Sequence, residues 1–273
     1  MSDRLIEKIF VVSFSRLGYA LRARAEHFVA IDQYDLTGRM VLVTGATSGI
    51  GLEIAEESAR CGASVVLLGR DAGRLEQAAA SIRAATPQAI LDTVVADMAE
   101  PSSLRQAAAS ILERHQRLDT IVHNAGALTS ERTTNSLGVE STVAGQVVGP
   151  FLLTALLLGR LRASGPARVL TMSSGGMYTA PLDVDHLEMD DDYRGAQQYA
   201  RAKRAQVTLN ELWAERFPDC GVVFHALHPG WVDTPGLRHA LPMFGRVLGP
   251  ALRTTEQGAD TAMWLIADDE PLR

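Results

Sequence analysis

A tyrosine and a lysine stand four residues apart in the stretch YARAK, Tyr199 and Lys203, inside a run of helical periodicity. Both side chains therefore leave one helix face, a turn apart. A free phenol titrates near ~10 and is a poor acid and a worse base at neutral pH. Lowering that value by about three pH units requires roughly 4 kcal/mol of preference for the phenolate. One ammonium about 4 Å away supplies that much at an effective dielectric near ~20. The pair is expected to act as a general acid–base with its cationic partner. By spacing alone it equally describes an exposed tyrosine and a solvated lysine, so the elements around it decide.

From residue 40 onward, short β-branched runs alternate with longer helical patterns. Met40–Thr44, Ser64–Leu68, Ile90–Ala96, Thr120–Val122, Arg168–Met172 and Val222–Leu227 read as strands. Their mostly continuous apolar character predicts burial on both faces. Helices are predicted over Gly49–Cys61, Ala72–Ala85, Pro101–Arg114, Val139–Arg162 and Gln197–Phe217, with another beginning near Glu256. This alternation points to an α/β fold: one three-layer domain over 39–273 with a doubly wound parallel sheet of Rossmann type.

The first strand opens into TGATSGIG, Thr44 to Gly51. Gly45, Gly49 and Gly51 permit a tight turn and a close backbone approach to a ligand. The helix behind them presents unpaired amides and a positive dipole end, which suits a pyrophosphate. A glycine turn placed after a first strand and before a helix reads as nucleotide binding.

At this point the chain resembles the short-chain dehydrogenase/reductase family, in the subtype carrying TGxxxGxG. Asp97 follows the third strand, His123–Gly126 (HNAG) resembles the family's NNAG, and Ser173-Ser174 end the fifth strand ahead of YARAK. His228–Thr234 (HPGWVDT) resembles the family's PGxxxT segment. The resemblance covers residues 40 to about 267, and SSGGM with HPGWVDTPG is most similar to the dehydrogenase/reductase member 12 subgroup. It implies Tyr199 as acid–base, Ser174 as the hydroxyl bonding the substrate oxygen, and Lys203 as the partner that also bonds the nicotinamide ribose. It further implies dinucleotide contacts from Gly45, Thr47, Ser48, Gly49, Ile50, Gly51, Asp97, Met98, Asn124, Ala125, Gly126, Pro229, Gly230, Val232 and Thr234.

Two departures carry weight. The family's fourth catalytic residue, an asparagine that distorts its helix, aligns with Gln146 in QVVGPFLLT. Glutamine is the better helix former, so the helix is expected to stay regular and the proton relay to be altered. His123 in place of asparagine is expected to hydrogen-bond within the sheet and carries no catalytic role. Relatives continue into a seventh strand beyond the end of this chain: either the sequence is truncated, or the protein does without that strand and the sixth is an expected edge.

The second strand ends LLGRDAGR. Gly69 stands where NAD-preferring relatives carry aspartate, and Arg70 follows, as suits a 2′-phosphate. NADP is the expected cofactor, unless Asp71 turns inward instead of capping the next helix. The segment from Pro235 to Thr254 is rich in Leu, Met and Phe and is read as a lid over a hydrophobic carbonyl or alcohol, or as short helices packed on the core. Asp183–Asp192 is read as a solvated loop, and no metal is implied.

The chain has 273 residues, 47% of them hydrophobic, enough for a full core. A net charge of −6 argues against nucleic acid as a partner. Cys61 and Cys220 have no metal spacing and suit a reducing compartment, so a cytoplasmic enzyme is expected. No run of 18 apolar residues occurs. Residues 1–38 form an N-terminal amphipathic extension, with Ile6, Ile9, Phe10, Ser13 and Leu17 on one stripe. It is read as packing against its own domain or a second subunit, as in a homo-oligomer. Peripheral membrane contact through residues 5–21 and a cleaved leader ending at Ala23-Arg24-Ala25 are the alternatives. The remaining functional alternative is a catalytically weak, nucleotide-binding regulatory or scaffold protein of the same fold.

Overall fold

The computed structural model describes residues 10–26 and 28–268. Six strands form one sheet: β1 (Met40–Thr44), β2 (Ser64–Gly69), β3 (Ile90–Val95), β4 (Thr120–His123), β5 (Ala167–Met172) and β6 (Val222–Leu227). All pairings are parallel, in the order β3-β2-β1-β4-β5-β6. The winding therefore reverses between β1 and β4. At such a switch point a crevice opens beyond the carboxyl ends of the strands.

Successive residues of a strand enter different layers. Val41 and Val43 join one core with α3 (Gly49–Arg60), α4 (Ala72–Ala85) and α10 (Thr255–Ala267). Leu42 joins the other, with α5 (Pro101–Arg114), α6 (Ser141–Ala163) and α7 (Gly195–Arg216). This is the expected three-layer arrangement, and it explains the nearly unbroken apolar runs of β1, β2, β4 and β5. The expectation of two-sided burial fails at β3. As an edge strand it leaves Ile90 and Val95 exposed at 66% and 54%. At the opposite edge β6 alternates between buried and partly exposed positions. Of the helices, α6 is long and apolar enough to cross a membrane, but most of it is buried inside the fold, as in a core helix.

The N-terminal stripe is not one continuous helix. Residues 1–9, with Ile6 and Ile9, lie outside the described residues; beyond them α1 (Phe10–Phe14) and α2 (Arg16–Ala25) are separated at Ser15. Ser15 caps α2 by accepting from the Gly18 amide at 3.3 Å. The turn is also tied from outside, because the Phe14 carbonyl accepts from Trp231 N at 2.9 Å. Consequently Ser13, Ser15 and Gly18 are buried, and Leu17 is 60% exposed.

Candidate active site

The turn after β1 builds the floor of the crevice. Gly45 and Gly49 take φ of +68° and +57°, which favour glycine. A Cβ at Gly45 would lie 2.9 Å from Ala125 Cα, and one at Gly51 2.3 Å from Asn124 Nδ2. The turn thus fits against β4 only as backbone. Asn124 ties the two strands, its amide donating to the Thr44 carbonyl at 3.1 Å, while Thr44 Oγ1 accepts from the Asn124 and Ala125 amides. Ser48 makes no side-chain cap to α3, so the first-turn amides of that helix have no side-chain partner from it. Thr234 faces this turn across the crevice, with its methyl 3.2 Å from a Cβ built at Gly49. These features fit a dinucleotide pyrophosphate.

Around the rim, Asp97 accepts from the Ala99 amide at 2.8 Å, and Met98 is buried beneath it. Ile50 packs on the core and Thr47 lies under Gly69. A side chain at Gly69 would begin 3.2 Å from Thr47 Cγ2. Asp71 caps α4 by accepting from the Arg74 amide at 2.9 Å. Arg70 between them is exposed.

The catalytic candidates meet at the ends of β5 and α7. Ser174 Oγ and the Tyr199 ring flank Gly176, 3.7 Å and 3.4 Å from a Cβ built there. Ser173, one residue earlier, instead turns inward and donates to Met177 Sδ at 3.2 Å. A Cβ at Gly176 would sit 3.4 Å from the Tyr199 ring, so the Ser174-Gly175-Gly176 turn lies directly against it. Lys203 is buried, with Nζ 5.7 Å from the Tyr199 ring centroid. The expected depression of the phenol by a neighbouring ammonium is not what this arrangement gives. Burial raises the Tyr199 pKa, partly offset by the Ser174 hydroxyl, and burial pushes Lys203 down to about 7. Tyr199 is therefore protonated at neutral pH.

Gln146 corrects a second expectation. The helix does not stay regular: Ala144–Val148 forms a π-helical segment inside α6. Pro150, four residues beyond Gln146, has no N–H to give the Gln146 carbonyl, and Gln146 Nε2 donates to the Ala127 carbonyl at 2.8 Å. Its Oε1 is buried and lies 2.9 Å from a Cβ built at Gly126, a point 3.5 Å from Lys203 Nζ. Because the helix is already opened, Gln146→Asn is expected not to raise kcat. Asparagine is one methylene shorter and loses the Ala127 bond, at a cost of about 1 kcal/mol in urea unfolding. A rise in kcat would restore the view that glutamine impairs the relay.

The segment His228–Thr234 is held by a residue that carries no motif. Arg253 is buried; it donates to the carbonyls of Pro229, Ser13 and Ser15, and its backbone bonds Trp231 and Asp233. Gly230, at φ +80°, is required because a Cβ there would enter the Arg253 side chain. Val232 bridges to Arg253 and packs on Gly258. Phe14 stacks on His228 at 4.4 Å and meets Trp231 at 5.9 Å, so the N-terminal segment borders this loop. The one sequence signal for Arg253 was a lone arginine just ahead of the capping box formed by Thr254 and Gln257. Beyond the loop, α8 (Pro235–Ala240) and α9 (Pro242–Leu248) bury no residue. Met243 and Val247 are exposed and Phe244 packs edge-on against Trp231. The Phe244–Trp231 contact ties these short helices to the His228–Thr234 loop.

Two imidazoles are held neutral. His123 Nε2 bonds Thr154 Oγ1 on α6 at 2.7 Å, and burial takes its pKa down to about 3. The expected bond thus runs to a helix and not within the sheet. His228 Nδ1 accepts from Gly230 N at 2.7 Å, and burial, then Arg253, takes it down to about 4. Both folded values lie below the usual 6.5, so stability is present above that pH and is lost as pH falls toward the folded values. The expected slope is about 1.4 kcal/mol per pH unit for each ring. Asp260, raised to about 6 chiefly by burial, acts in the opposite sense. The contribution of His123 is therefore read as a difference: His123→Asn should lose less stability than the parent between neutral and mildly acid pH in urea titrations. Equal losses would mean that His123 titrates normally in the fold.

The sequence profile described as short chain dehydrogenase matches residues 39–243. Dehydrogenase/reductase SDR family member 12 of Homo sapiens is 34% identical over 254 residues, 92% of this chain and 78% of that protein. Retinol dehydrogenase 12 of Bos taurus is 36% identical over 230 residues, 84% of this chain and 73% of that one. Among solved structures, a short chain dehydrogenase from Shigella flexneri 2a str. 301, complexed with NADP, superposes with a TM-score of 0.72 at 26% identity. That match covers 88% of this chain and 95% of the other.

Proposed function

The chain belongs to the short-chain dehydrogenase/reductase family, in its dehydrogenase/reductase member 12 subgroup, and we propose that it is an NADP-dependent oxidoreductase of apolar carbonyls or alcohols. As a family member it is a dehydrogenase/reductase acting on CH–OH or C=O groups, and its fold binds NAD(P). The observation that carries the reading is the grouping of Ser174, Tyr199 and buried Lys203: the Ser174-Gly175-Gly176 turn lies against the Tyr199 ring, and Lys203 Nζ is 5.7 Å from that ring's centroid.

When bound, the dinucleotide supplies or accepts hydride. The protein's part is to bind, orient and move one proton. Ser174 Oγ, on the turn that lies against the Tyr199 ring, is placed to hold the substrate oxygen. Tyr199 gives its proton to that oxygen on carbonyl reduction and takes one back on oxidation. A phenol kept protonated by burial suits reduction. Lys203 is held beside Tyr199 to bond the ribose.

Support for NADP comes from the rim of β2: Gly69 offers no acid, Asp71 is engaged as a helix cap, and Arg70 is exposed where a 2′-phosphate would lie. An apolar substrate is supported by the exposed Met243 and Val247 of α9 and by relatives named as retinol dehydrogenases. Free Cys61 and Cys220 support a cytoplasmic site of action. The scaffold alternative rested on Gln146, and the π segment removes that support. An NADPH- and NADH-consumption screen over aldehydes, ketones and, in reverse, secondary alcohols tests the reading. Turnover confined to apolar compounds, with NADPH preferred, is expected; saturable NADPH binding without turnover across the panel would favour the scaffold.

A further inference from the structure

The Lys203 ammonium uses two of its three N–H bonds on protein acceptors, the Met172 carbonyl at 2.8 Å and Gln206 Oε1 at 2.9 Å. An ammonium only donates, so the Gln206 amide must present its oxygen there and turn Nε2 away. That Nε2 is buried without a protein partner, as is His123 Nδ1. Gln206 and His123 both line one cavity of ≈ 20 Å³, room for a single water molecule that would satisfy the amide. Gln206 is itself only 3% exposed. One turn beyond Lys203 on α7, its side chain accepts from that ammonium.

We propose that Gln206 is a positioning residue of the active site, whose side-chain carbonyl holds the Lys203 ammonium in place and sustains its charge. The proposal rests on the reading of Tyr199 and Lys203 as the proton-handling pair. Few other groups can sustain the charge. The titratable groups facing Lys203 are Tyr199 on its own helix and His123 on β4, which stays neutral. From β5 comes the Met172 carbonyl, and from α6 the neutral Gln146 amide across Gly126. Burial opposes the charge, and among the described residues no carboxylate offsets it. The Gln206 bond is then a principal support that a side chain gives.

Two substitutions move the lysine in opposite directions. Gln206→Leu removes the acceptor at similar volume and should lower the Lys203 titration midpoint by about 1 to 2 pH units, the loss of one charge-assisted bond. Gln206→Glu offers a carboxylate and should raise it by about 1 pH unit or more. The midpoint is read by NMR of lysine labelled at Cε, in the full ligand-free chain, with Lys203→Met assigning the resonance. A residue that only packs would lower the melting temperature in both variants and move the midpoint in neither.

A lower midpoint in the leucine variant with a higher one in the glutamate variant supports the proposal. No movement, or movement in one shared direction, overturns it. If the leucine variant does not fold, the glutamate variant decides alone: a rise supports and any other result overturns. The same shifts should appear in the pH profile of kcat, with cofactor KM changing less than kcat. Should the parent protein show no turnover, the oxidoreductase reading fails while the NMR titration still judges Gln206.

Discussion

Tyr199→Phe is expected to lower kcat by at least about 100-fold, within the range of general acid–base contributions. NADPH affinity should change by less than about 3-fold. The substitution keeps the ring against Gly176 and removes only the phenol hydroxyl. Stopped-flow turnover and fluorescence titration of NADPH separate the two quantities. Surviving turnover would mean that the proton comes from another group. The buried lysine is then the candidate: with its pKa brought down to about 7 it could exchange protons at neutral pH. The double variant Tyr199→Phe with Lys203→Met would then lose what the single variant kept.

Arg70→Ala is the second large effect. Loss of a charge-assisted bond to a 2′-phosphate is worth roughly 1.5–3 kcal/mol, or about 10- to 150-fold in NADPH affinity. NADH carries no such phosphate, and its affinity should hardly move. The specificity of the effect follows from the rim geometry. Asp71 has its oxygen on the Arg74 amide, and a Cβ at Gly69 would press on Thr47 and Leu75. Equal losses for both cofactors would refute the NADP reading. Weaker NADH binding in Asp71→Ala would show that Asp71 faces the ribose hydroxyl after all.

Much of this site was legible because its signals are local. Turn glycines, an i, i+4 Tyr/Lys pair and strand–helix alternation are each written within a few residues, and the sheet order follows from them. What was not legible depends on residues far apart in the chain. The break at Ser15 is fixed by Trp231 and Arg253, the latter 238 positions away. The π segment contains Gln146, whose amide reaches Ala127 on another element, a contact no helix propensity records. The distance between Lys203 and the Tyr199 ring is set by Met172 and Gln206, which draw the ammonium into the interior. A spacing of four residues fixes only the shared face, and the electrostatics then follow from burial. Edge exposure of β3 was missed because Ile90, Leu91, Val94 and Val95 read as a buried run, although Asp92 and Thr93 interrupt it.

The central claim is that this protein moves hydride while Tyr199 moves the proton. Its most direct test is single-turnover reaction of NADPH deuterated at nicotinamide C4, on each face separately, with the best aldehyde or ketone of the screen. The expected result is deuterium on the carbinol carbon of the product from one of the two labelled cofactors, with a primary isotope effect, and loss of that transfer in Tyr199→Phe. Saturable NADPH binding with the label retained in both cofactors, across the whole carbonyl panel, would contradict the account.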